Sequence, residues 1–83
     1  MLRKGRNVIV NLIEGKYYAM RNNRLYELNE TGARILELCN GENEAKDICG
    51  KLAKFYGLNG EELKDEIEAY ITELQELKLV EMA

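Results

Sequence analysis

The chain has no histidine and two cysteines, Cys39 and Cys49, and this inventory limits its chemistry at once. Common zinc sites and the Ser–His or Cys–His nucleophile pairs require an imidazole. Acid–base work would fall to carboxylates, lysine, tyrosine or cysteine. The densest carboxylates, Asp65, Glu66 and Glu68, sit on one helical stretch at angles that mostly avoid its apolar stripe. That is the pattern of a solvated acidic face, and no calcium-loop spacing accompanies it. Cys39 has no base beside it and falls on an apolar stripe, which argues against a nucleophile. With no CxxC present, the two thiols read as buried, with an inter-helix disulfide as the weaker alternative. The glycines are scattered over turns and helix ends and build no phosphate loop. The expectation is no catalytic residue, no metal ligand and no cofactor: not an enzyme.

What remains is the chemistry of the backbone, and the elements that expose it. Val8 to Ile13 is β-branched and apolar, as a strand requires. Glu14-Gly15 reads as a tight turn, Lys16 to Met20 as a second strand, and Asn22-Asn23 as a turn tolerant of positive φ. Arg24 to Leu28 is the third strand. If both loops have two residues, Leu12 faces Tyr17, Val10 faces Ala19, Ala19 faces Tyr26 and Tyr17 faces Leu28. Val10, Leu12, Tyr17, Ala19, Tyr26 and Leu28 then share the core face. Ile9, Asn11, Ile13, Lys16, Tyr18, Met20, Leu25 and Glu27 share the other. A bulge at Gly15 would flip the first strand.

Asn29 is a good N-cap for a first helix with Glu30 in its first turn. Its buried stripe is Ile35, Leu38 and Cys39, with Leu36 at the margin and Gly41 just beyond the C-cap. A second helix starts near Asn43, buries Ala45, Ile48, Cys49, Leu52, Phe55 and Tyr56, and ends at Gly57. Gly50 within it serves either close helix approach or nothing, at a cost of ~1 kcal/mol against alanine. Asn59 caps a third helix of about eighteen residues whose apolar positions are Leu63, Ile67, Tyr70, Ile71, Leu74 and Leu77. Leu79-Val80 leaves it as a short extended tail. The result is one α+β domain over residues 1–83: a three-stranded antiparallel sheet followed by three helices, winged-helix-like.

Charge is unevenly placed. Residues 1–24 carry six Lys/Arg and one Glu, and residues 60–77 carry seven Asp/Glu and one Lys, within a net −3. No apolar run approaches the ~20 residues of a membrane span, and no signal-peptide pattern follows the basic start, so no membrane partner and a cytoplasmic location are expected. A winged-helix DNA-binding transcriptional regulator is the alternative reading. Its third helix would be repelled by phosphate, which disfavours nucleic acid as a partner.

The first and third strands are both edges of the sheet and present unpaired backbone groups. The third lacks proline and can accept an extended peptide as an added strand. Shielding by packing, or pairing in a homodimer, is the competing account. The outer face with Ile9, Ile13, Met20 and Leu25 suits a partner enzyme or a second copy.

The run from Leu28 through Asn29-Glu30-Thr31-Gly32-Ala33-Arg34-Ile35-Leu36-Glu37 to Leu38, then Asn40-Gly41, resembles the PqqD-like family. So does the acidic helix closing in Leu74, Leu77, Leu79 and Val80. The resemblance covers about residues 8–81. One departure is Lys78, where many relatives have glycine; another is the cysteine pair. The resemblance implies a recognition element, a chaperone of sorts, for ribosomally made and post-translationally modified peptides (RiPPs). It would bind the leader segment of a precursor peptide beside the third strand, in a groove with the third helix. It would present the leader to a separate enzyme such as a radical SAM maturase or a leader peptidase, and as a free-standing module it would also touch that enzyme. Carried over, Leu25, Tyr26, Glu27 and Leu28 supply the edge, and Lys64, Ile67, Tyr70, Ile71 and Leu74 the other wall. Ile67 and Leu74 are equally plausible core residues. If Lys64 and Ile71 line the groove, the leader brings an acid and an aliphatic; if Glu66 and Glu73 line it, a basic residue.

Overall fold

The computed structural model describes residues 1–83. The sheet expected from the two short turns is present. Its strands are β2 (Ile9–Ile13), β3 (Lys16–Arg21) and β4 (Arg24–Leu28), in the order β2-β3-β4; the strand preceding β2 is described below. Positive φ at Glu14 and Gly15, and again at Asn22 and Asn23, gives each hairpin the backbone that a two-residue type I′ loop requires. The register follows without a bulge: Val10 pairs with Ala19, Leu12 with Tyr17, Ala19 with Tyr26 and Tyr17 with Leu28. Ala19 and Leu28 on the inner face are buried and Val10, Tyr17 and Tyr26 half-buried. Leu12 departs from expectation: it lies beyond the edge of the core and is 60% exposed.

A second sheet joins strands that lie far apart in the chain. β1 (Leu2–Lys4) lies between β5 (Asn40–Asn43) and β6 (Val80–Met82), both antiparallel to it. Of the two residues expected to form an extended tail, Val80 begins a paired strand and Leu79 lies in the turn before it. Leu2, Leu79 and Val80 go into the core, and Arg3 pairs with Glu81 at 2.8 Å across the outside. Gly41 lies within β5 at φ 86, not directly after the helix end. The layout remains α+β, but the sheet count is two and the strands do not all precede the helices. "Winged helix" describes it only loosely.

Helix α1 (Glu30–Leu38) starts as expected, with the Asn29 side chain accepting from the Gly32 amide at 2.8 Å. Such caps contribute ~1 kcal/mol. Its stripe is rotated slightly from expectation: Leu36 is fully buried and Leu38 only half-buried. Helix α2 (Ala45–Tyr56) begins one residue later than expected, capped by a reciprocal box between Glu44 and Asp47, and ends in left-handed Gly57. Asn43 is buried instead, its amide donating to the Leu38 carbonyl and its oxygen accepting from Lys51. Ala53, not Phe55 or Tyr56, completes the α2 stripe. The two aromatic rings project from the helix end, where Arg34 stacks 3.9 Å from the Phe55 centroid.

Helix α3 (Gly60–Glu76) is capped by Asn59 and ends in a Schellman turn, with the Leu79 amide donating to the Leu74 carbonyl. Lys78 stands there at φ 60. That is the left-handed region in which glycine is cheapest, so lysine carries a backbone cost there that glycine would not.

An alanine Cβ at Gly50 would meet no atom within 4 Å, so this glycine serves no close approach. We expect Gly50→Ala to stabilise the chain by ~0.5–1 kcal/mol, read as a higher urea midpoint at unchanged slope. A lower midpoint would mean that the site is packed.

Candidate functional site

The turn geometry decides which backbone groups of β4 are free. In a two-residue hairpin the flanking pair exchanges hydrogen bonds, and bonded and non-bonded pairs alternate from there. Arg21–Arg24 is the flanking pair, so Arg24, Tyr26 and Leu28 direct their N–H and C=O groups to β3. Leu25 and Glu27 direct theirs outward, along an edge that no other strand occupies. Their side chains lie on the outer face, and Leu25 is 59% exposed. Tyr26 and Leu28 face the core. Lys16 approaches Glu27 at 3.9 Å, an exposed pair that holds little energy.

One contact ties this edge to α3. The Tyr70 hydroxyl donates to Asn29 Oδ1 at 3.0 Å, on the same oxygen that caps α1. Asn29 directly follows β4, so a single side chain fixes the end of the strand, the start of one helix and the position of the other. Gly32 makes the contact possible, because a Cβ there would overlap the Tyr70 ring and hydroxyl. Burial pushes the Tyr70 pKa upward; hydrogen bonding at Asn29 opposes this, and the charge of Glu73 adds to it. The phenol is therefore neutral and able to donate at neutral pH.

The other expected groove residues are divided. Ile67, Ile71 and Leu74 are each 4% exposed or less and belong to the core. The helical period that made them a stripe also turns them inward, so in the chain alone they are not free wall. Lys64 is exposed and borders a different hollow, shared with Lys46 and Glu61. Of the α3 set, Tyr70 hydrogen-bonds the residue that directly follows β4. Glu66 and Glu73, four and three residues from Tyr70, share its side of the helix. Asn29 and Gly32 were read as cap and motif; their part in seating Tyr70 carries no signal in a single sequence.

Cys39 and Cys49 are both free and buried. Burial raises the Cys39 thiol to about 11, and Cys49 donates to the Gly60 carbonyl at 3.4 Å. Cys39 is therefore a thiol at neutral pH, and both sulfurs lie buried, away from any substrate. No helix is long and apolar enough to cross a membrane.

Known proteins share this fold. A solution NMR structure of the PqqD truncation of Methylobacterium extorquens PqqCD, described as a functional stand-alone RiPP recognition element, superposes with a TM-score of 0.81 at 21% identity. The match covers 96% of this chain and 87% of that one. A lasso peptide synthetase B1 complexed with its leader peptide gives a TM-score of 0.77 at 20% identity, over 96% of each chain. At such identities these likenesses speak for the fold. A PqqA binding protein from Methylococcus capsulatus is 40% identical over 45 residues, 54% of this chain and 48% of that relative. The matched stretch thus spans about half the length of that relative. The family model described as coenzyme PQQ synthesis protein D (PqqD) matches residues 6–80. That match runs through the hairpins, all three helices and the turn into β6, and on it the chain belongs to the PqqD family.

Proposed function

We propose that the chain is a non-enzymatic module that captures the leader segment of a ribosomally made precursor peptide as an added strand on β4. It then presents the leader to a separate modifying enzyme, such as a radical SAM maturase or a leader peptidase. The observation that carries this reading is the open β4 edge, with the Leu25 and Glu27 backbone groups outward, joined at Asn29 to Tyr70 of α3. Main-chain bonds to Leu25 and Glu27 supply affinity, and flanking side chains supply selectivity. Family membership supports the same role, as do the leader bound to the lasso synthetase and the name of the Methylococcus relative. A cytoplasmic location fits a partner delivered straight from the ribosome. DNA binding is set aside, since α3 with its surplus of carboxylates is a poor visitor to phosphate.

The Tyr70–Asn29 contact favours the glutamate side of α3 as the second wall. The leader then carries a basic residue toward the Asn29 end of β4, near Glu66 and Glu73. Arg21 and Arg24 at the opposite end favour an acid there. The test is an NMR titration of labelled chain with the leader of the neighbouring precursor gene. Shifts are expected at residues 24–28 and around Tyr70; shifts confined elsewhere would remove the β4 groove. Glu73→Lys should weaken a basic leader about threefold to tenfold, since exposed charge pairs are worth ~1 kcal/mol, and reversing the leader charge should restore binding. Binding of the leader unchanged by Glu73→Lys would assign the opposite wall.

A further inference from the structure

We propose that the open end of the β4–α3 groove is a carboxylate-binding site, formed by Arg6, Arg21 and Lys78, which takes an acidic side chain of the leader. The proposal rests on strand capture at β4 and deepens it, naming a residue the leader must carry and the cations that read it.

A hollow of about 390 Å³ is lined by Arg6, Arg21, Gln75, Lys78, Val80 and Glu81. Its three cations come from the turn between β1 and β2, the end of β3 and the turn between α3 and β6. None of them forms an ion pair; the chain's pairs are Arg3 with Glu81, Lys16 with Glu27 and Arg34 with Glu30. Glu81, the one carboxylate on the wall, is thus engaged by Arg3 at 2.8 Å. A cleft lined by one sign of charge focuses its field and draws in the opposite sign. Guanidinium forks match a carboxylate in particular, which they can bind through two parallel bonds.

Main chain holds the cations together. A Cβ at Gly5 would overlap the Lys78 carbonyl oxygen, so the two turns approach this closely only with glycine there. The Gly5 amide donates to the Leu79 carbonyl at 2.9 Å, and the Gly5 carbonyl accepts from the Val8 amide at 3.1 Å. Arg6 and Asn7 are the corners of that closed turn, Asn7 at φ 62. Arg6 is therefore fixed beside Lys78 by backbone bonds. Lys78 itself stands at φ 60, where glycine would be cheaper. A residue held in a costly conformation points to a use for its side chain.

The hollow lies where a bound strand would leave β4. Arg21 pairs with Arg24, the first residue of β4, and alternation puts both on the inner face with Ala19 and Tyr26. Tyr70 meets Asn29 just beyond the other end of the strand. The helix thus runs antiparallel to β4, from Tyr70 at its end to Gln75 and Lys78 at its start. The lengths agree: Tyr70 to Lys78 rises ~12 Å at helical pitch, and β4 spans ~13 Å. A leader strand that passes Arg24 arrives at the cations.

Calorimetric titration of the full chain with the leader of the neighbouring precursor gene tests this. Lys78→Gly keeps the turn and relieves its backbone, so it should melt at a higher temperature than the wild type. It should nevertheless bind the leader about threefold to tenfold more weakly, the scale of an exposed charge pair. Arg6→Gln, an exposed position that leaves the Lys78 turn untouched, gives a second reading and should weaken binding similarly. Replacing the leader's acidic residues one at a time by their amides should find one whose loss costs a like factor against the wild type and a smaller one against Lys78→Gly. Lys78→Gly and Arg6→Gln that both bind as the wild type does overturn the site, and so does a leader indifferent to every amide. In those cases Glu27→Pro would still weaken binding, and strand capture on β4 would stand. Binding indifferent to Glu27→Pro would instead remove strand capture, and this site with it.

Discussion

Glu27→Pro is expected to raise the leader dissociation constant about 10–100-fold while leaving the fold intact, because only its outward N–H is lost. Proline is tolerated on an edge strand where the missing donor faces solvent, and Glu27 is such a position. Its ring also obstructs the approach of an added strand. Tyr26→Pro is the necessary contrast. That N–H belongs to the ladder with Ala19, and the ring would break β3–β4 pairing. Circular dichroism and calorimetric titration of the two variants give the result: Glu27→Pro folded and weakened in binding, Tyr26→Pro unfolded or nearly so. A folded Glu27→Pro that binds leader as the wild type does would mean that the peptide is not taken as a strand on β4.

The second large effect is expected at Gly32. Its alanine Cβ would overlap the Tyr70 ring and hydroxyl, so the phenol must leave its seat on Asn29. Overpacking of this kind costs ~1–3 kcal/mol. A small domain buries only ~60% of its unfolded surface and has little stability to spare. Gly32→Ala should therefore lower the melting temperature by several degrees, about 4–8 °C per kcal/mol for a domain of this size. It should also weaken leader binding, since the helix wall loses its anchor to the strand. Tyr70→Phe should cost ~1 kcal/mol through the lost hydrogen bond alone. Adding Tyr70→Ala to Gly32→Ala should give a non-additive cycle, because the clash disappears with the ring. Strict additivity would mean that the two residues do not meet.

The parts legible in the sequence were those decided locally. Two-residue turns at Glu14-Gly15 and Asn22-Asn23 set the register of three strands, and with it the outward direction of Leu25 and Glu27. Asn29, Gly57 and Asn59 marked helix ends by capping chemistry that needs no distant partner. The second sheet was not legible. Leu2-Arg3-Lys4 is short and charged, and Asn40-Gly-Glu-Asn43 has no hydrophobic residue at all; each becomes a strand only through the other and through Val80–Met82. Helix rotation was similarly hidden. Leu36 and Leu38 fit the same period, and the tertiary neighbours choose between them. The same holds on α3, where Ile67 and Leu74 fit either a core stripe or a groove wall by period alone, and both are buried. Phe55 and Tyr56 extend the α2 period past the point where the core stops.

The two sheets also differ in how far along the chain their partners must be brought. β2, β3 and β4 close over two-residue loops and pair as soon as neighbouring residues meet. β1 joins β6 across the whole domain, Arg3 meeting Glu81 over a separation of 78 residues. Loop-closure entropy and the slow search for distant pairings fall almost entirely on that second sheet. In kinetic terms the pairings divide into a half with local closures and a half with distant ones. The β4 edge lies in the half with local closures, so it is expected to pair before the clasp of β1 and β6 shuts, an order that pulsed hydrogen exchange would read as earlier protection of β3 and β4 amides.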